Sequence, residues 1–341
     1  MTAVVREADL DADGPLIVEF LRTNHTPEST PQRFEWLYCR GPAGEARAWI
    51  LFDDKKDGVA TGVAAAFPRR LYANGHEVCG WVLGDFCVDP KCRSLGPAAL
   101  LQKTCMMQLQ KTSSGIYYDF PSLAMTAVYR RLGVPVTQQI VRFVKPLRAD
   151  TRVRKLIRQR RLATAVTTVV NHGLSALTRK TGAVDGQLTT LRNTPCGDEF
   201  TNLADEVGSG LGICVQRSAK YLNWRFQEHP YRRYEIITQK KLTELTGYAV
   251  IREEGSYLNI VDLFGCPDSV PDLVRAAISI ANDRKLEAVA AGILDSHPWK
   301  GILRELGFFA REKLPVVTHF PSPAVQTDDS SWYLSDGDRE S

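Results

Sequence analysis

Six consecutive residues, Arg93, Ser94, Leu95, Gly96, Pro97 and Ala98, pose the first chemical question. They lie in the stretch GDFCVDPKCRSLGPAALLQ (Gly84 to Gln102), which passes from a β-forming run through Pro90 and a basic turn into a helix-forming tract. The first backbone N–H groups of a helix have no intrahelical partner, point outward and carry the positive end of the helix dipole. Gly96 lets a ligand approach that backbone closely, Pro97 costs nothing where its N–H would be unused, and Ala98 keeps the surface low. Lys91 and Arg93 add positive charge. The chemistry of such a turn is anion binding, and its size suits a pyrophosphate. Just upstream, Phe86 and Val88 alternate with Asp85 and Cys87, which places the two pairs on opposite faces of a strand. An acid inside an apolar strand is costly to bury unless paired, so Asp85, with Glu77 further back, is a candidate base.

The elements around this turn occur twice. FEWLYCRGP (Phe34 to Pro42) and LNWRFQEHP (Leu222 to Pro230) share an apolar-x-Trp-x-aromatic pattern with proline six residues after the tryptophan. Each is followed by a β-like strand, ARAWILF or YEIITQ, then by a small-residue strand, VATGVAAAF or ELTGYAVI. A further strand (GWVLGDFCV or LNIVDLFG), a helix, a short strand and an amphipathic helix closing at Leu-Gly complete each copy, with Gly133 and Gly307 in the C′ position. The expected fold is therefore α/β with two tandem domains, 1–147 and 192–341, joined by a connector, 148–191. The tryptophans Trp36 and Trp224 either cap their own cores or line a substrate site. Arg225, His229 and the run Tyr231 to Arg233 offer donors to an acceptor, or form a solvated basic loop.

At 341 residues and 44% apolar content the chain can bury a large core. It has no run of about 18 apolar residues, and its acidic amino end lacks the pattern of a signal peptide, so a cytoplasmic location is expected. Eight scattered cysteines, without a CxxC pair or a ligand-spaced histidine, are expected to be buried thiols rather than metal ligands. The formal charge of +4 is concentrated between Arg142 and Arg161, where nine Lys or Arg residues face one acid, Asp150. Further along the connector, Val166, Val169, Val170, Leu174 and Leu177 have helical spacing. An amphipathic connector packed on one domain and a peripheral membrane contact through 148–180 both fit. Nucleic acid is the weaker partner, because no aromatic residues interleave the basic run.

Two motifs together resemble the GNAT acyltransferases (Gcn5-related N-acetyltransferases). RSLGPA is similar to the family's [QR]xxGx[GA] loop, and PSLAMTAVYRRLGV is similar to N-x-x-A-x-x-x-Y-x-x-x-G-F, with Ala124 near the alanine, Tyr129 on the tyrosine and Gly133 on the glycine. Ser122 stands where the family has asparagine, and Val134 where it has phenylalanine. The resemblance implies two tandem GNAT-like domains, each a mixed, mostly antiparallel sheet flanked by helices. It implies acetyl-CoA or another acyl-CoA as co-substrate, no metal, and transfer of the acyl group to an amine of a small molecule or glycan. Arg93 to Ala98 would seat the pyrophosphate, Phe86 and Val88 would lie along the thioester with the Val88 N–H toward the acyl oxygen, and Ser122 would meet the pantetheine arm. Tyr129 would act as the acid near sulfur, while deprotonation of the amine falls to Asp85, the nearest acid on the strand, or passes through ordered water as it often does in the family. The second copy reads FGCPDSVPD where RxxGxA should fall, with Asp268 and Asp272 unfavourable to a pyrophosphate, so one working cofactor site is expected. A Fem-like transferase using aminoacyl-tRNA and a non-catalytic acyl-CoA-binding scaffold are the alternative readings.

Overall fold

The computed structural model describes residues 3–53, 58–92, 95–111, 115–136, 138–148, 186–320 and 332–340. The first half runs β1 (Ala3–Glu7), α1 (Leu10–Asn24), α2 (Pro31–Phe34) with a π-helical turn (Glu35–Cys39), β2 (Arg47–Asp53), β3 (Ala60–Ala73), β4 (His76–Val88), α3 (Leu95–Lys111), β5 (Ile116–Asp119), α4 (Leu123–Arg131) and β6 (Gln138–Pro146). The second half begins with β7 (Gln187–Arg192), α5 (Asp198–Gly208), a short β8 (Ile213–Val215) and α6 (Ala219–Leu222) with its own π-helical turn (Asn223–Gln227). It continues through β9 (Glu235–Lys241), β10 (Glu244–Glu254), β11 (Tyr257–Gly265), α7 (Val270–Asp283), β12 (Ala288–Leu294), α8 (Lys300–Glu305) and β13 (Phe309–His319), and β14 (Trp332–Tyr333) closes the chain. Apart from β8 and β14, the two halves follow the same order. The connector expected to be amphipathic falls almost entirely outside the described residues.

Local chemistry sets the element ends. Asp9 caps α1 by accepting from the backbone of Asp11 and Ala12, and Thr30, Ser122 and Ser218 cap α2, α4 and α6 in the same way. At the other end of α4 the chain turns through Gly133 at φ +70°, and the N–H of Val134 returns to the carbonyl of Tyr129. This closes orphan helix carbonyls in a conformation that glycine adopts without strain, and Gly307 at φ +84° does the same after α8.

Among the described residues the strands form one 14-stranded sheet in the order β1-β2-β3-β4-β5-β13-β6-β12-β11-β10-β9-β7, with β8 paired to β3 and β14 to β8. The middle of that order shows an exchange. The last strand of the second half, β13, lies antiparallel between β5 and β6, and the last strand of the first half, β6, lies antiparallel between β12 and β13. Each half thus completes its sheet with a strand from the other. The two π-helical turns meet each other. Trp36 and Trp224 stack with ring centroids 5.0 Å apart, and each indole N–H donates to the other's backbone carbonyl at 2.9 Å. The reciprocity marks an approximate two-fold relation between the halves, and both rings are buried.

Candidate active site

Parallel β4 and β5 pair only over Gly80 to Val82 and Ile116 to Tyr118. Beyond that point they diverge, and the wedge between them opens into a cavity of about 690 Å³. One wall is Gly84 to Val88 of β4, the other is Asp119 and Phe120 at the end of β5 with Ser122, Ala124, Met125 and Val128 of α4. Leu95 and Ala98 in the first turn of α3 border the mouth, and Asn24, His25 and Glu340 complete the lining. Gly96 sits in that same first turn, and a Cβ placed on it would meet nothing within 4 Å. Arg93 and Ser94 lie outside the described residues. Pro97 is placed beside Gly96 in α3.

The alternation expected for Asp85 to Val88 holds: Asp85 and Cys87 face α1 and Tyr38, and Phe86 and Val88 face the core under α3. The pairing of β3 with β4 shifts register between Val63 and Ala65, a β-bulge opposite Asp85, and Asp85 takes φ +45° there. Gly84 through Val88 all border the cavity, along the stretch of β4 that β5 no longer pairs. Asp85 is almost fully buried, and its carboxylate accepts two hydrogen bonds from Arg33 at 2.7 and 2.9 Å and one from the Tyr38 hydroxyl at 2.8 Å. Burial opposes its charge, but the arginine and tyrosine prevail and hold Asp85 below the ordinary carboxylate range. Three hydrogen bonds and an ion pair favour its charged form, so it is a poor proton acceptor. Glu77 hydrogen-bonds Gln216, away from the cavity.

Tyr129 is fully buried and is not part of the cavity wall. Its hydroxyl donates to Asp119 at 2.5 Å and accepts from the Gln102 amide at 2.9 Å. Asp119 does line the cavity. Burial raises its pKa to about 7, assisted by the charge of Glu340 and opposed by the hydrogen bond from Tyr129. Sequence reasoning missed Asp119, although an acid immediately before the Phe-Pro-Ser turn was visible. Ser122 borders the cavity, with its Oγ accepting from the Met125 N–H as the cap of α4.

The residues expected on the acceptor side are elsewhere. Trp36 and Trp224 form the buried pair between the halves. Arg225 is buried, with its guanidinium donating to the carbonyls of Gly337 and Arg339. His229 packs against Trp36, its Nδ1 accepts from the backbone of Tyr231 and Arg232, and burial with nearby arginines lowers its pKa to about 2. None of the four lines the cavity. Their aromatic and basic pattern reflects the joining of two halves and the anchoring of the carboxy-terminal segment.

That segment explains the second half. The wedge between β11 and β12, which pair in parallel only from Tyr257 to Ile260, corresponds to the open one between β4 and β5. Residues 335–338 occupy it. Ser335 bridges to Ile293 of β12, and Asp336 lies so close to Gly292 that a Cβ there would collide with its carboxylate. Asp262 occupies the place in β11 that Asp85 holds in β4. Like Asp85 it is held by an arginine and a tyrosine, here Arg217 and Tyr248, but Arg217 also bonds Asp338 at 2.9 Å and so ties the plug into the wedge. Glu340 then emerges against Gly84 at the edge of the first cavity. Among the described residues no cluster of three or more His, Cys, Asp or Glu is arranged to hold a metal ion, and no helix is long and apolar enough to cross a membrane.

No protein-family model and no curated protein sequence matches the chain. Solved structures do. A probable N-acyltransferase of Enterococcus faecalis superposes with a TM-score of 0.68 at 12% identity, covering 94% of this chain and 72% of that one. A GCN5-related N-acetyltransferase of Anabaena variabilis gives 0.66 at 12% identity, over 94% and 73% of the two chains. The N-myristoyltransferase of Saccharomyces cerevisiae with bound myristoyl-CoA gives 0.57 at 12% identity, over 94% and 79%. The chain has the tandem GNAT fold. In that GNAT frame the two wedges are the repeated feature, and only the wedge of the first half is open.

Proposed function

We propose that the protein is an acyl-CoA-dependent N-acyltransferase with a single cofactor site in its first half. The observation that carries this reading is the open wedge between β4 and β5 at the amino end of α3, beside a second wedge that its own chain has filled. A thioester lying in the wedge has the backbone of Phe86 to Val88 along one side and Ser122 with α4 along the other. The diphosphate of CoA then meets the first turn of α3, where the exposed N–H groups and the helix dipole favour an anion. Gly96 keeps that approach free of side chains. Arg93 and Ser94 belong to the same seat by their place in RxxGxA. The cavity is larger than an acetyl group needs, so acetyl-CoA and longer acyl-CoAs are both candidates, and the acceptor is an amine of a small molecule or glycan.

Calorimetric titration with a series from acetyl-CoA to myristoyl-CoA, paired with Gly96→Glu, tests the reading. A side chain at position 96 meets open space within the protein, so the variant is expected to fold normally and to lose CoA binding by at least tenfold. Absence of binding by the wild-type protein to every member of the series refutes the proposal. CoA release over a panel of primary amines, followed by thiol detection, then identifies the acceptor class.

A further inference from the structure

We infer that Asp119 takes the proton from the acceptor nitrogen and returns it to the departing sulfur, an inference that rests on the acyl transfer proposed above. The cavity presents five groups able to carry charge, Asp85, Cys87, Asp119, His25 and Glu340, and the Cys87 thiol is engaged with the Asn24 carbonyl. Asp85 is ion-paired with Arg33 and hydrogen-bonded by Tyr38. His25 is at the rim, 40% exposed and 4.0 Å from Asp85. Glu340 enters from the terminal segment at the level of Gly84. Asp119 sits where β5 parts from β4, in the apex of the wedge, and among the described residues it has no ion-pair partner. One of its oxygens accepts from Tyr129, whose hydroxyl is in turn fixed by Gln102. That chain orients the carboxyl and keeps the tyrosine proton engaged, so the phenol is a positioning group for Asp119.

The groups facing Asp119 decide when it is ionised. Tyr129 on α4, Tyr117 on β5 and Cys105 on α3 all have their pKa raised by burial and stay neutral near pH 7. From the terminal segment Glu340 disfavours the charge on Asp119 and Arg339 favours it, while the Phe120 N–H stabilises the carboxylate. Asp85, Cys87 and His25 lie across the cavity. The balance leaves Asp119 able to gain and lose a proton near neutrality, which suits a shuttle.

In the step, the neutral amine attacks the thioester carbon. As the C–N bond forms and the C–S bond breaks, the amine N–H proton passes to the Asp119 carboxylate. The resulting carboxylic acid then protonates the CoA thiolate. The products are the amide and CoA thiol, with Asp119 again ionised.

The test measures CoA release with acetyl-CoA and the best acceptor of an amine panel, from pH 5.5 to 9, for wild type, Asp119→Asn, Asp119→Glu and Glu340→Gln. Acetyl-CoA binding and thermal unfolding of each variant are measured alongside. Asparagine still accepts the Tyr129 hydrogen bond, so Asp119→Asn is expected to fold and to bind acetyl-CoA as wild type does, with kcat reduced about a hundredfold or more and the limb near pH 7 lost. Asp119→Glu is expected to recover part of the rate. Glu340→Gln removes a neighbouring negative charge and is expected to shift the limb to lower pH. A full rate for Asp119→Asn, or a reduced rate that keeps the same limb, overturns the inference. An unmoved limb in Glu340→Gln does so even where Asp119→Asn fails to fold. Wild-type protein that binds no member of the series from acetyl-CoA to myristoyl-CoA and releases no CoA overturns the acyltransferase reading itself, and the inference with it.

Discussion

Replacing Asp119 with asparagine makes a prediction about stability that needs no substrate. Burial raises the Asp119 pKa from 3.8 to about 7, so the folded state holds a proton that the unfolded chain releases near pH 4. A raised carboxyl contributes stability that is complete below the unfolded pKa and is lost as pH rises through the folded one. At 1.36 kcal/mol per pH unit, the three-unit window costs wild type about 4 kcal/mol by pH 8 and about 2 kcal/mol at pH 5. Asparagine does not titrate, is close in size and keeps an acceptor for Tyr129. Asp119→Asn is therefore expected to gain about 2–3 kcal/mol relative to wild type between pH 5 and pH 8, whatever its offset at pH 5. Urea unfolding of both proteins at the two pH values, followed by tryptophan fluorescence, gives the difference directly. Parallel responses to pH in wild type and variant refute the buried, unpaired carboxyl and remove one support from its proposed role.

Arg217→Ala leaves the carboxylates of Asp262 and Asp338 buried against each other, and it is expected to cost about 3–5 kcal/mol and to release the terminal segment. Faster hydrogen exchange at residues 332–340 than in β12 checks the second part. Trp36→Phe keeps most of the stacking but strands the Trp224 carbonyl, with an expected loss of about 1–3 kcal/mol, and Trp224→Phe is expected to match it because the contacts are reciprocal. Chemical denaturation of the two variants, with their double mutant, measures the coupling across the halves.

Much of this architecture was legible along the chain, because the signals were local. Period-2 and period-3.6 runs, capping residues and the Leu-Gly helix ends depend on neighbours a few residues away, so the duplicated order of elements and the strand-turn-helix step at Gly84 to Gln102 could be read directly. The repeat also exposed the asymmetry at RxxGxA, since the same step in the second half is acidic. The tryptophan motifs were visible, but their burial opposite each other was not, because a pattern shows that two segments are alike and not that they touch.

What tertiary structure alone decided came from contacts between distant residues. The exchange of β6 and β13 depends on strand register across the seam, and an alternating strand carries no mark of which neighbour it will join. The filling of the second wedge by residues 335–338 depends on Arg217 meeting Asp338, 121 residues later. The roles of two aspartates divide for the same reason. The sequence pointed to Asp85 and passed over Asp119, but an arginine 52 residues away is paired with the first, while the second is buried with a phenol and a backbone N–H to hold it. Sequence determined where acids could stand; the surroundings of each one, set by folding, decided which is ion-paired and which is not.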